Sequence, residues 1–147
     1  MKNDSRTRER GAAMVEAAIS IPLLLMLMVG IFEVGRAYQT WQVLTNAARE
    51  GARMSITPSS TPSNTTALIR QYMADGQLSN SSTAVVNVNK AGSIDVNGTP
   101  VSASLVTVDY PFSFIMLQPV VRLVVPGATV GGPITMRATA IMRNEAP

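Results

Sequence analysis

The chain contains 147 residues with a formal net charge of +3, a length typical of one modest domain with short appendages. It has no cysteine and no histidine, which excludes cysteine nucleophiles, histidine general bases and the zinc sites built on these ligands. A nucleic-acid binder would cluster Arg and Lys on a folded face with interleaved aromatic rings, whereas the C-terminal two-thirds of this chain is sparsely charged. We therefore predict no metal, no cofactor and no nucleic-acid partner.

A long apolar run follows the polar, basic start of the chain. It extends from Ala12 to Phe32, 21 residues that would span about 31 Å as a helix, close to the thickness of a bilayer core. No charged residue occurs between Ala17 and Phe32. A buried helix of a soluble protein is the alternative, but this run is apolar on all sides, and so small a domain has no core to surround it. We predict a transmembrane helix over residues 12–32.

Basic residues at the two ends of the run predict its orientation. Arg36 and Arg49 follow the run, whereas four basic side chains precede it: Lys2, Arg6, Arg8 and Arg10. This excess predicts a cytoplasmic N-terminus and a C-terminal domain outside the cytoplasm. A cleaved secretory signal peptide is the competing interpretation, but the run is longer than a normal signal core and no small-x-small site closes it.

The helix is expected to continue beyond the membrane to about residue 54. The segment has no proline, and apolar residues recur at spacings of three and four. This pattern predicts a stripe against a globular domain, formed by Val34, Ala37, Tyr38, Trp41, Leu44, Ala48 and Ala52. Glu33 with Arg36, and Glu50 with Arg53, have the spacing of ion pairs on one helix face.

The rest of the chain predicts a small α+β domain. Pro58 to Asn64 reads as a loop, followed by a short helix capped by Asn64 or Thr65 and ended by Gly76. Its predicted apolar face comprises Ala67, Leu68, Ile69, Tyr72 and Met73. Beyond Asn80 to Ser82, a turn, the period changes to two, which is typical of strands.

Three segments have this strand pattern: 84–89, 101–110 and 134–142. Asn97-Gly98 is a hairpin-type turn between the first two. Val120 to Val125 is predicted as another short strand, and Phe112 to Leu117 is either core or interface. The fold class is α+β: a long N-terminal transmembrane helix extending into a small antiparallel-sheet domain. The predicted divisions are a leader 1–11, a membrane helix 12–32, its extension 33–56 and an outer domain 57–147.

Gly11 and Glu16 form the most informative constellation. A basic leader is followed by Gly11, then by an apolar run interrupted at the fifth position by the carboxylate of Glu16. A charge inside a bilayer costs about 2.5–3.5 kcal/mol on insertion scales, so this carboxylate needs a partner or must reach the headgroups at the cytoplasmic edge.

The segment from Gly11 to Arg53 resembles the TadE-like family of the tight-adherence (Flp) pilus system. The resemblance is carried by RGAAMVEAAISIPLLLMLMVGIFEVGRA and VLTNAAREGAR, and GAAMVE itself resembles a prepilin-peptidase site. The resemblance implies cleavage between Gly11 and Ala12, and it implies a processed pseudopilin or minor pilin. The partners it implies are a prepilin peptidase, TadE/TadF-like and Flp-type pilin subunits, and the inner-membrane assembly platform.

This resemblance, combined with the chemistry of the residues, suggests an assembly mechanism. The new amine of Ala12 in one subunit would be neutralised by the Glu16 carboxylate of its neighbour, which would set the register between helices. Pro22 is tolerated in a membrane helix, and Gly30 and Gly35 leave flat patches for helix packing.

Catalytic signals are weak. Asp75, Asp95 and Asp109 fall in separate elements and form no acid/base pair, so we predict no enzyme. The glycines from Gly127 to Gly132 match neither a P-loop nor a dinucleotide fingerprint. Two rival readings stay open: a permanently anchored periplasmic module that binds a peptide or glycan, and a tethered hydrolase with an unrecognised Ser/Asp site.

Overall fold

The computed structural model of the chain describes residues 4–127 and 129–144, with the side chains of residues 4–9, 123 and 124 excepted. The first three residues of the predicted leader and the last three of the predicted outer domain lie outside this description. Six elements follow in chain order: α1 Asp4–Ser55, α2 Pro62–Asp75, β1 Val85–Val96, β2 Thr99–Phe112, α3 Leu117–Val124 and β3 Ile134–Arg143. The predicted α+β class is confirmed.

The chain divides into two compact units. The first combines Met1–Gly35 with Phe114–Gly131, and the second combines Arg36–Ser113 with Gly132–Pro147. The first therefore contains the membrane-length part of α1 together with α3. The second contains the rest of α1, α2 and the sheet.

Helix α1 is longer than the sequence pattern predicts. Its end at Ser55 agrees with the expected end near residue 54, but it begins at Asp4 instead of near residue 13. The predicted helix leaves out the leader because apolar residues do not recur there at helical spacing. An exposed helix does not need such a period, and the Arg and Glu residues of the leader are good helix formers.

The buried face of α1 in the second unit differs in part from the predicted stripe. Leu44, Ala48 and Ala52 are buried as expected, but Val34, Tyr38 and Trp41 are exposed and Ala37 is half-buried. At about 100° per residue, the three exposed side chains lie roughly 60–120° around the helix from Leu44. The predicted stripe was therefore too wide. Small and polar residues complete the buried face: Thr40, Ala47, Gly51 and Ser55.

Helix α2 begins earlier than predicted. Its N-cap is Thr61, whose side chain accepts a hydrogen bond from the Asn64 N–H at 3.2 Å, so the predicted caps Asn64 and Thr65 are wrong. Pro62 then occupies the first turn, where its missing N–H has no cost. The expected end at Gly76 is confirmed.

The buried face of α2 consists of three residues spaced about one turn apart: Thr65, Ile69 and Met73. Ala67 and Tyr72, predicted on the apolar face, are exposed, and Leu68 is half-buried. Thr65 was overlooked because its type is polar, although its spacing from Ile69 places it on the same face.

The described sheet has three antiparallel strands in the order β1-β2-β3. Asn97 and Gly98 close the β1–β2 hairpin with φ of 55° and 82°, which confirms the predicted turn. Alternate residues of β2 are buried on one face: Ser104, Val106, Val108, Tyr110 and Phe112. The three predicted strands are confirmed, each longer than its apolar core.

The fourth predicted strand, Val120 to Val125, is wrong. Its residues fall largely within α3, Leu117–Val124. Pro119 lies in the first turn of this helix, where proline is tolerated. The valines favour a strand by intrinsic preference, but at this position the N–H groups at the start of the helix donate to a side chain from a distant part of the chain. That side chain belongs to Glu33.

Candidate functional site

The membrane-length part of α1 is uncovered by the rest of the chain. Residues 11–28, 31 and 32 are exposed, and Val29 and Gly30 are half-buried. Large apolar side chains are exposed along this whole part of the helix, from 40% at Met26 to 75% at Met14. Among the described residues, α1 is the helix long and apolar enough to cross a membrane. A soluble monomer does not leave so much contiguous apolar surface in water, so the uncovered helix indicates a lipid or protein environment.

Gly11, Ala12 and Glu16 all lie on the exposed surface of α1. Ala12 and Glu16 are four residues apart, so they share one helix face. A β-carbon added at Gly11 would meet no atom within 4 Å, so packing inside the chain does not require a glycine there. The roles predicted for these residues in cleavage and assembly stay predictions.

The predicted packing residues of α1 also lie outside any close contact of the chain with itself. The helix continues through Pro22. A β-carbon at Gly30 or Gly35 would meet no atom within 4 Å. Both glycines therefore leave flat helix surface, and their packing role stays a prediction about contacts between chains.

The second motif, TNAAREGAR, has a clear role within the fold. Ala47, Ala48 and Ala52 are buried with Gly51 on the face of α1 that packs inside the second unit, to which this part of the helix belongs. A β-carbon at Gly51 would lie 2.4 Å from Cδ1 of Ile69 and 3.5 Å from Cγ1 of Val106. The small residues of the motif thus bring α1 into direct contact with α2 and β2.

The charged residues of the same motif lie away from this buried face. Arg49 and Arg53 are exposed, and Glu50 is half-buried. Arg53 donates to Glu50 at 2.8 Å, which confirms the predicted pair. This hydrogen bond, together with the positive charge of Arg53, lowers the pKa of the Glu50 carboxyl below its ordinary value. The pair lies at the surface, where solvent screens the two charges and the contribution to stability is small.

Glu33 has a structural role that the sequence did not reveal. Its side chain is fully buried, and its Oε1 accepts backbone N–H groups from Ile115 at 2.7 Å and Met116 at 2.5 Å, with Leu117 at 3.4 Å. A carboxylate in this position satisfies orphan donors and favours the positive end of the α3 dipole. Glu33 therefore caps α3 from a position 82 residues earlier in the chain.

One sequence signal indicated that Glu33 is buried. It precedes Leu44 by eleven residues, close to three whole turns, so both side chains lie on the same face of α1. Its backbone partners in residues 115–117 had no such signal, and the pair with Arg36 stays a prediction. Arg36 also donates to the Ser113 carbonyl at 2.8 Å, and its guanidinium carbon lies 5.0 Å from the centre of the Phe112 ring.

The Phe112 to Leu117 stretch, left undecided by its sequence, divides between two environments. Phe112 is buried in the second unit, while Ile115 and Met116 are 60% and 48% exposed in the first. The stretch is therefore core at its start and exposed surface further on.

The carboxylates considered for catalysis make structural contacts. Asp95 accepts the Gly98 N–H at 2.6 Å in the hairpin turn, and Asp109 pairs with Arg137 at 2.6 Å. Asp75 lies at the exposed end of α2. In the part of the chain that the structure describes, no three acidic side chains converge on a metal-sized site.

A family model described as TadE-like protein matches residues 11–53, just under a third of the chain. The matched segment contains both motifs on which the resemblance was drawn and confirms it. No curated protein and no solved structure matches the chain. The family match associates the chain with the Tad pilus system, and its first matched residues lie on a helix able to span a membrane.

Proposed function

We propose that the chain is a pseudopilin or minor pilin that takes part in assembly or initiation of a Tad/Flp-type pilus. The observation that carries this proposal is the uncovered apolar helix, which begins with the GAAMVE motif inside the family-matched segment. Such a helix needs an apolar environment before and after assembly. A bilayer provides it first, and a bundle of sister helices provides it later.

The proposed topology follows from the apolar run and the flanking basic residues. Residues 1–11 form a cytoplasmic leader, 12–32 cross the inner membrane, and 33–56 extend the helix outside. Residues 57–147 form the periplasmic domain, which can enter an extracellular pilus with the rest of the mature chain. The excess of arginine before the span supports this orientation.

Processing supplies the chemistry of assembly in this proposal. A prepilin peptidase hydrolyses the peptide bond between Gly11 and Ala12, which releases the leader carboxylate and leaves an α-amine on Ala12. The protonated amine then pairs with the Glu16 carboxylate of a neighbouring subunit, a TadE/TadF-like or Flp-type pilin at the assembly platform. Two charges that are costly alone in lipid neutralise one another and set the axial register.

Mass spectrometry of N-terminal peptides from the native host tests the processing step. The unaltered chain should begin at Ala12, and Gly11→Leu should retain its leader. Ala18→Leu is the matched control, because it adds similar bulk on exposed helix surface seven residues later and should be processed normally. An unaltered chain that keeps Met1 as its sole N-terminus would refute processing.

Glu16→Gln tests the assembly step. This variant should still be inserted and cleaved, but should no longer co-purify with sister subunits or support pili. Asp75→Asn removes a carboxylate from the exposed end of α2 and should leave both properties intact. A permanently anchored binding module would instead tolerate both Gly11→Leu and Glu16→Gln, so normal function of these two variants would favour that rival.

A further inference from the structure

The segment 114–131 has a composition unlike the rest of the exposed surface. Its eighteen residues contain one charged residue, Arg122, and no acidic residue. Ile115, Val125 and Val130 are 60%, 54% and 59% exposed, and Met116 is 48% exposed. A concentration of exposed apolar side chains in a short segment marks an interaction surface.

The start of this segment is attached to the outer end of the membrane-length helix. Glu33, the first residue after the apolar run, holds the N–H groups of Ile115 and Met116. Leu117, the first residue of α3, lines an apolar groove together with Leu27 and Ile31 of α1. Whatever surrounds α1 at this level therefore also surrounds the start of α3.

We propose that segment 114–131 lies in the outer membrane–water interface, with α3 as a short interfacial helix beside the transmembrane span. The exposed apolar side chains of Ile115, Met116, Val125 and Val130 enter the boundary of the acyl chains, and Arg122 extends to the lipid headgroups. This inference rests on the transmembrane position of residues 12–32 in the proposed function. It adds a second membrane contact, made by a segment outside the family-matched region.

Continuity favours lipid over a protein partner as the occupant. The groove that Leu117 lines is otherwise formed by residues of the span and by Val34, two residues beyond it, so its apolar wall is continuous with lipid-covered surface. The irregular backbone of residues 126–127 and 129–131 also fits this depth. Headgroups and water can bond to the N–H and C=O groups of irregular backbone there, as the hydrocarbon interior cannot.

Site-specific fluorescence tests the inference, because the chain has no cysteine of its own. Single-cysteine variants of the full chain would carry an environment-sensitive dye in dilute phosphatidylcholine vesicles. Ile115→Cys and Val130→Cys are the test positions. Leu27→Cys, 61% exposed on the span, is the lipid control, and Val85→Cys, 64% exposed on β1, is the water control. Each is measured with nitroxide-labelled lipid and with aqueous iodide as quencher.

The dyes at residues 115 and 130 should be quenched by the lipid nitroxide, as at residue 27, and should lose the iodide quenching seen at residue 85. Iodide quenching equal to that at residue 85, with residue 27 in lipid, would overturn the inference and leave the proposed function standing. Protection from both quenchers would mean that protein covers the segment and would also overturn it. A dye at residue 27 exposed to iodide would refute the span itself, and the proposed function with it.

Discussion

Replacing Gly51 with alanine places one methyl group into the tightest contact of α1 with the domain. The new β-carbon would lie 2.4 Å from Cδ1 and 2.6 Å from Cγ1 of Ile69, which is itself fully buried. Because Ile69 is fully buried, its side chain would have to shift against packed neighbours, and the crowding should cost about 1–3 kcal/mol. Alanine is favoured over glycine in a helix by about 1 kcal/mol, which offsets part of that cost. We expect a net loss of about 1 kcal/mol of domain stability.

The effect of Gly51→Ala should change sign when Ile69 is also replaced with alanine. Ile69→Ala alone should destabilise the domain by about 2–5 kcal/mol, because it leaves a cavity. In that background the added methyl fills part of the cavity and keeps its helix preference, so Gly51→Ala should stabilise by about 1–2 kcal/mol. The coupling between the two sites is then about 2–3 kcal/mol, as expected for residues in direct contact.

Hydrogen exchange of the β2 amides measures these free energies in the full chain, held in detergent micelles. The sheet amides report opening of the domain, whereas a bulk helical signal would be dominated by α1. Gly35→Ala is the control, since it adds the same methyl to the same helix where no atom lies within 4 Å, and it should not destabilise the domain. Stabilisation by Gly51→Ala in both backgrounds would refute the packing argument.

Two further predictions concern carboxylates. Glu33→Ala removes the cap of α3 and should cost about 0.5–2 kcal/mol locally, seen as faster hydrogen exchange at residues 115–121. Glu33→Gln keeps an acceptor oxygen, so the amides of residues 115–121 should exchange more slowly in this variant than in Glu33→Ala. Equal exchange in the two variants would contradict capping. The hydrogen bond from Arg137 lowers the pKa of Asp109, so the pair stabilises the folded state above pH ~3.9 and loses this contribution as pH falls through the lower folded pKa. Because the Arg137 side chain is exposed, solvent screens the pair and its contribution to stability is small. In acid titrations monitored by sheet exchange, Asp109→Asn should lack this pH-dependent loss, and an unchanged titration would count against the pair.

The sequence by itself determined the elements whose signal is local. An apolar run of bilayer length, interrupted only by Glu16, specifies a membrane-length helix, because its apolar side chains avoid water irrespective of their neighbours. Asn97-Gly98 between two segments of period two specifies a hairpin, because both residues accept the positive φ that the turn requires. The family resemblance likewise depends on short motifs in a continuous stretch of chain.

Only the tertiary structure decided which residues carry the contacts between distant segments. Glu33 accepts the Ile115 N–H from 82 residues earlier in the chain, beside the start of α3, and 117–124 is helical where its valines favour a strand. Gly51 is required by the approach of Ile69, and the exposure of Trp41 follows from which face of α1 the sheet covers. Such outcomes depend on three-dimensional packing and on buried hydrogen bonds whose partners have no fixed spacing in the sequence.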